Sequence, residues 1–440
     1  MFLKLWNAFD GLAKDTLWAG SYDFIQLFVV LFSFTMLQYT LLPEEYGSFT
    51  SVYAIVAPLG ALSFSGPSLA SLKARIRDHQ PANPTLRSYI TITLILGIAS
   101  SCIASTLGWI IADDLSIFEI VFIVLSELLA FSFINVLAAL IHSSSGYPAM
   151  IRVKITTILL KFFIIAFLVF HDSRFVEKYQ FLDNNISPID KFEALTIFNL
   201  GLGYLLVYLL FAFWLALFHI KRHGYRFSIG KPVDGAIRTS FDFGGPMAAS
   251  QLQTEGDKVV MRAFNYTEEL GLYSAAYKVV TLGTKPLKAL DSAAFQRFLP
   301  DQSDVKGMHL RRSIKFATLM FGVSVVLSVG LYLALPLLDI LFDEKYLAAR
   351  DIVPWLLIFI PLVALSGTPM NGLIGLNRTK ERSYIYFASS VFSITMYFIF
   401  IPPFGWKGAV IATVLSELFL AIVSWIAIVH YQNKQDALMT

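Results

Sequence analysis

Apolar runs long enough to cross a bilayer recur twelve times along this 440-residue chain, which leaves few folds open. About 20 apolar residues in a helix span a hydrocarbon core of roughly 30 Å. Inside that core the backbone must satisfy its own hydrogen bonds, which a helix does within each segment. The runs lie near residues 16–41, 47–70, 88–112, 116–141, 149–170, 193–220, 239–264, 271–296, 314–337, 353–375, 384–402 and 408–430. The seventh and eighth are interrupted by charges and prolines. Composition points the same way: 56% of residues are hydrophobic and 15% charged, against about 25% charged in an ordinary soluble chain. The mean hydropathy is +0.65. The expected fold class is an all-α polytopic membrane protein with twelve transmembrane helices.

Residues 1–15 read as an amphipathic segment with Phe2, Leu5, Trp6, Phe9 and Leu12 on one face, lying in the interface and leading into the first span. This is not the pattern of a cleavable signal peptide. Cys102 is the single cysteine, so neither an intrachain disulfide nor a cysteine-rich metal site is available.

The loops divide sharply in charge. With the amino terminus on one side, 22 of the 34 Lys and Arg fall on that side, six on the other, and the remaining six within spans. Basic residues accumulate on the cytoplasmic side, so both termini are expected there. The longest loop on the outer side, near 171–192, is too short for a catalytic domain.

Two outer loops resemble each other. "EEYGSFTSVY" at 44–53 and "EELGLYSAAY" at 268–277 align Glu44 with Glu268, Glu45 with Glu269, Gly47 with Gly271 and Tyr53 with Tyr277. Generic turns also favour acids at a helix N-terminus and glycine. Recurrence in register with the midpoint favours duplication. Each half then begins and ends inside, giving two six-helix bundles related by a pseudo-two-fold along the membrane normal, an architecture of transporters. The expected division is 1–15, a bundle at 16–220, a cytoplasmic linker at 221–238, a second bundle at 239–430 and a tail at 431–440.

Three stretches carry a family resemblance: "LLPEEYGSFTSVYAIV" in the first loop, "GPSLASLKAR" leaving the second span, and "DKVVMRAFNYTEELGLYSAAYKV" around spans seven and eight. They resemble bacterial polysaccharide flippases, the O-antigen and exopolysaccharide exporters of the multidrug/oligosaccharidyl-lipid/polysaccharide superfamily. The resemblance extends along the whole chain in length, span count and loop placement. It implies a bacterial inner-membrane protein that moves undecaprenyl-diphosphate-linked oligosaccharide from the cytoplasmic to the periplasmic leaflet. It also implies a central cavity between inverted-V bundles, with polymerase and glycosyltransferases of the same pathway as partners.

Ionisable residues within spans are costly and mark pathways or partners. In span seven, Gln251, Glu255, Lys258 and Arg262 form one polar stripe at 4-3-4 spacing. Lys258 lies about 10 Å and Glu255 about 15 Å from the outer end. These two line a cavity or neutralise each other as a packing pair, and Arg262 reaches out to the interface. Asp257 faces elsewhere and fixes the helix against a neighbour. Span eight adds Lys278 and Lys285 on one face, with Lys278 at the depth of Lys258. Two cations at one depth suit a diphosphate. Lys258, Lys278, Lys285 and Arg262 are therefore the candidate cargo-binding set, and Lys288 pairs with Asp291 one turn on. Asp23, Glu127, Glu255 and Glu417 are candidates for coupling to a proton or sodium gradient, because a membrane-embedded carboxylate can exchange a proton or hold a cation. Partnership of Glu127 with Lys161 is the alternative. Glycines and prolines, among them Gly66, Pro67, Gly244 and Gly245, serve either as bending points or as packing positions.

No Walker loop, nucleophile elbow or Asp-rich metal motif occurs, and the seven histidines lie in loops or near span ends. The expected protein is a carrier without catalytic residues, metal or organic cofactor, and without a nucleic-acid partner. A drug or cation antiporter of the related branch is the alternative, favouring an acidic cavity. A membrane polysaccharide polymerase stands further off.

Overall fold

The computed structural model describes residues 11–172, 196–223, 228–287, 290, 291, 298 and 307–438. The described residues are almost wholly helical, and no strand occurs among them. Residues 1–10, the loop 173–195, Lys288 and the last two residues, on which several expectations rest, lie outside this set. Helix α1 runs Gly11–Thr40, so the described part of the amino-terminal segment is continuous with the first span. Then come α2 (Pro43–Arg77), α3 (Ala82–Ile111), α4 (Ile117–Ser145) and α5 (Tyr147–Phe170), followed by α6 (Ile197–His223). Helices α7 (Ala236–Ala263), α8 (Thr267–Gly283) and α9 (Met308–Leu333) continue the chain. After the short α10 (Leu335–Leu341), α11 (Ala349–Leu356) and α12 (Phe359–Gly375) meet at a 48° bend. The last run, α13 (Thr379–Leu438), is broken at Gly405.

Among the described residues, eight helices combine bilayer-spanning length with a strongly apolar window. Helices α7 and α8, whose sequences hold the charges and prolines, are outside that group. Large apolar side chains face outward, as in Leu210 at 68% exposure and Phe213 at 64%. Small polar side chains fill the interior, including Ser48, Ser51, Ser63, Ser126 and Ser132. Membrane helices pack in this way, with small residues bringing backbones close and hydroxyls bonding locally.

Local signals explain the helix starts. Pro43 opens α2 at its first positions, and Glu45 Oε2 accepts the Leu42 N–H at 2.7 Å. Ser116 caps α4 through Glu119 N–H, while Glu119 Oε2 accepts Ser116 N–H at 2.7 Å. Glu269, the repeat counterpart of Glu45, does something different. Its Oε2 accepts the Trp406 N–H at 2.9 Å, beyond the break in α13. Tyr266 Oη donates to Pro402 O at 2.8 Å, holding the same break from the other side. Gly405 there has φ +54, and a Cβ would run into the Glu269 carboxylate. Gly405→Ala should therefore cost about 1–2 kcal/mol in backbone strain and displace Glu269, read as a lowered melting temperature of the detergent-solubilised protein.

Contacts divide the chain into two compact units, Met1–Ala248 and Ala249–Thr440. The division falls inside α7, beyond the expected linker at 221–238. The cause is visible within the first unit. A Cβ on Gly66 of α2 would strike the backbone oxygen of Ser240, and one on Gly244 would lie 2.9 Å from Ala61 O and 3.3 Å from Gly66 Cα. The first turns of α7 are thus locked against α2, and Gly66 and Gly244 are packing positions. Within this unit α1 also packs on α5, and α6 on α4. Within the second unit α12 packs on α9 and α13, and α8 on α11.

Candidate functional site

The repeated tyrosine marks a buried polar cluster in each unit. In the first, Tyr53 on α2 donates to Glu127 Oε1 at 2.9 Å. Lys161 on α5 donates to the same oxygen at 2.6 Å and approaches Tyr53 Oη at 3.1 Å. Its ammonium also lies 4.7 Å from the Tyr53 ring centre and 4.8 Å from that of Tyr204. A desolvated ammonium over an aromatic face gains from the ring quadrupole. Tyr204 and Tyr208, one turn apart on α6 and both buried, stack at 6.3 Å and close the cluster. Glu127 sits in a π-helical turn, Ser126–Ala130, inside α4. Such turns rotate one side chain out of α-helical register and frequently occur at functional sites. Gly97 of α3 admits the widened turn, since a Cβ there would lie 2.8 Å from Leu128 O.

In the second unit, Lys258 is 6% exposed. It pairs with Glu255 one turn earlier on α7, and its ammonium lies 4.6 Å from the Tyr277 ring centre. Thus both members of the repeat use the aligned tyrosine to seat a lysine that is paired with a glutamate. The lysine comes from α5 in one unit and from α7 in the other. Asp257, 1% exposed, accepts Tyr273 Oη at 2.5 Å and its neighbour's N–H at 2.8 Å. It ties α7 to α8, the role expected for it. Deeper in the unit, buried Glu417 on α13 accepts Gln253 Nε2 at 3.1 Å and Ser366 Oγ at 3.2 Å. Tyr397 Oη donates to Gln253 O, joining the same network.

The candidate residues are therefore distributed unevenly. Lys258, Glu255 and Asp257 gather around Tyr273 and Tyr277, and Glu127 meets Lys161. Lys278 on α8 and Lys285 just past its end are half-buried, with Lys278 one position beyond the tyrosine that holds Lys258. Asp23 is half-buried on α1 beside Tyr22, whose ring lies 5.8 Å from Lys154 Nζ. Arg262 departs from expectation: it is 3% exposed and donates to Thr267 Oγ1 at 2.8 Å, instead of reaching the interface. Its turn of α7 is covered by the start of α8, which hydropathy along one helix cannot register. Asp291 accepts Asn371 Nδ2 at 2.8 Å; the pairing expected with Lys288 lies outside the described residues.

No family model and no curated relative matches the sequence. Solved structures do match the fold. An inward-facing multidrug resistance MATE family transporter of the MOP superfamily superposes with a TM-score of 0.68 at 14% identity, covering 92% of this chain and 96% of that one. The lipid II flippase MurJ, in an inward closed conformation, gives 0.68 at 15% identity over 93% of this chain and 87% of its own. A MOP superfamily transporter from Pyrococcus furiosus gives 0.61 at 13% identity over 95% and 96%. The chain has the MOP transporter fold. Within that fold, the tyrosine-seated lysines and their glutamates are the embedded charges that call for a functional account. Sequence reasoning missed Tyr204, Tyr208, Tyr273, Gln253, Ser366 and the π turn. A signal existed for the tyrosines: Tyr204 with Tyr208, and Tyr273 with Tyr277, are four residues apart and share a helix face.

Proposed function

We propose that this protein is a flippase that moves undecaprenyl-diphosphate-linked oligosaccharide from the cytoplasmic to the periplasmic leaflet of a bacterial inner membrane. Both termini are cytoplasmic, and an ion gradient drives alternating access. The observation that carries the reading is Lys258, a membrane-embedded ammonium held between Glu255 and the Tyr277 ring in a chain with the MOP fold. The likeness to MurJ, a lipid II flippase by name, supports a cargo carried on a lipid. A diphosphate head arriving near Lys258 competes with Glu255 for the ammonium, so cargo and carboxylate exchange one partner. Lys278 on the next helix and Lys285 just past its end extend the cationic track, with Arg262 at its outer end.

Coupling falls to the carboxylates. Glu127 bears one half of a contact that protonation, or a bound cation, would exchange, releasing Lys161 from it. Glu417 is hydrogen-bonded by an amide and a hydroxyl, which suit either a charged or a protonated carboxyl. Asp23 and Glu255 complete the set. Glu127→Gln and Glu417→Gln should flatten the pH dependence of transport while leaving the protein inserted, measured as initial rate against pH in proteoliposomes. An unchanged profile in both removes them from the coupling scheme.

The deciding experiment reconstitutes the purified chain and follows translocation of defined lipid-linked sugars with and without an imposed proton or sodium gradient. Gradient-dependent translocation supports the proposal; none with any such cargo overturns it. A second reading, a multidrug or cation antiporter, is favoured by one observation: besides Glu255, paired with Lys258, the second unit buries the carboxylates of Asp257 and Glu417. Efflux of a cationic dye from the same vesicles, without movement of lipid-linked sugar, would establish that reading instead.

A further inference from the structure

A groove of about 460 Å³ opens on the first unit. It runs between α5 and α6, with the end of α4 as its floor, and its volume falls within the range of ~300–1,000 Å³ usual for small-molecule sites. One wall is an aromatic ladder on α6. Phe211, Trp214 and Phe218 stack successively at 5.9 and 5.5 Å, with their planes within 16° of parallel. Trp214 is 55% exposed and Phe218 42%. The rest of the wall is aliphatic, including Val153, Leu160 and Leu215.

At one end stand Arg152, near the start of α5, and Arg222, at the close of α6. This is the end of the helices that carries the basic loops. Both guanidinium groups are exposed, and neither has a carboxylate partner among the described residues. Each instead lies near a ring: Arg152 at 5.3 Å from that of Trp18, Arg222 at 5.8 Å from that of Phe218. A guanidinium beside a ring still carries five N–H donors, the groups that bind phosphate oxygens bidentately. Two exposed guanidinium groups beside an apolar groove at the bilayer edge call for an anion that carries its own hydrocarbon.

We propose that this groove binds an anionic phospholipid of the leaflet at that end of the helices. Its phosphate sits between Arg152 and Arg222, and one acyl chain lies along the Phe211–Trp214–Phe218 ladder. A sugar-bearing cargo is disfavoured because, apart from the arginines, the groove's polar side chains are Ser145 and Thr156. The Thr156 hydroxyl is already committed to Arg152 O at 2.9 Å. The site is independent of the transport reading and stands if that reading fails.

The test uses the full chain, delipidated in detergent and titrated with phosphatidylglycerol carrying brominated acyl chains, with tryptophan fluorescence as readout. Saturable quenching is expected, and Trp214→Phe should remove most of its saturable part. Arg152→Gln/Arg222→Gln should raise the half-saturating concentration by about tenfold or more, since it deletes two charge-assisted contacts. The Lys/Lys variant should fall between. If the double variant does not fold, Arg222→Gln alone and a salt titration of the unaltered protein carry the test, each weakening the interaction. Equal half-saturation by brominated phosphatidylcholine, or no change in the arginine variants, overturns the proposal. So does competition by inorganic phosphate at lipid-like concentrations, which would mark a headgroup site with no role for the chain.

Discussion

Lys258→Ala should reduce translocation of lipid-linked oligosaccharide in proteoliposomes by about 100-fold or more, at wild-type levels of inserted protein. A factor of 100 corresponds to about 2.7 kcal/mol. That lies just under the roughly 3–5 kcal/mol attached to breaking a buried ion pair, where the surviving charge is left uncompensated. Here the survivor is Glu255, and the Tyr277 face loses its cation as well. Because the single variant mixes loss of cargo contact with an orphaned carboxylate, the double variant Lys258→Ala/Glu255→Gln separates them. If Lys258 only neutralises Glu255, the double variant regains transport. If the ammonium binds the diphosphate, the double variant remains inactive, while Lys258→Arg retains part of the rate. Recovery in the double variant would sink the cationic-site proposal and leave a packing pair.

The second large effect concerns assembly. Gly66→Leu should prevent recovery of a monodisperse protein, and Gly244→Leu should do the same. The atom that a Cβ at residue 66 meets is the backbone oxygen of Ser240, and at residue 244 it is that of Ala61. A flexible side chain would move aside; two helical backbones in close crossing do not. Overpacking of about 3 kcal/mol at such a site is comparable with a large part of a typical domain's total stability. Size-exclusion chromatography after solubilisation reads the outcome. Gly245→Leu is the matched control, because nothing lies within 4 Å of the Cβ position there; equal damage from it would refute the close-crossing argument.

Much of the fold was legible because the bilayer imposes a one-dimensional rule. The boundaries of α5 and α6 lie within a few residues of the apolar windows that announce them, and α3 starts earlier than its window. The Glu255–Lys258 pair was legible for a similar reason, since residues three apart share a helix face. The duplicated tyrosine was legible as a pattern, though its use was not. Nothing in "EEYG" and "EELG" distinguishes Glu45, which caps its own helix, from Glu269, which caps a helix 137 residues later. The Glu127–Lys161 contact stood among the alternatives, yet Tyr53 and Tyr204 complete it from two further helices.

Hydropathy and spacing suffice to read a multi-pass helical chain, the recurrence of its two loop motifs and the positions of its costly charges. Each of these depends on local composition measured against one fixed solvent, the lipid. Which charge meets which ring, where α4 relaxes into a π turn, and which glycines admit a neighbouring backbone depend on contacts between helices far apart in the chain. Those contacts are set by how helices cross, and crossing is governed by shape at a few small residues such as Gly66, Gly97 and Gly244. A side chain's hydropathy carries no record of what will be packed against it, so the seats of Lys161 and Lys258 emerge only in the folded protein.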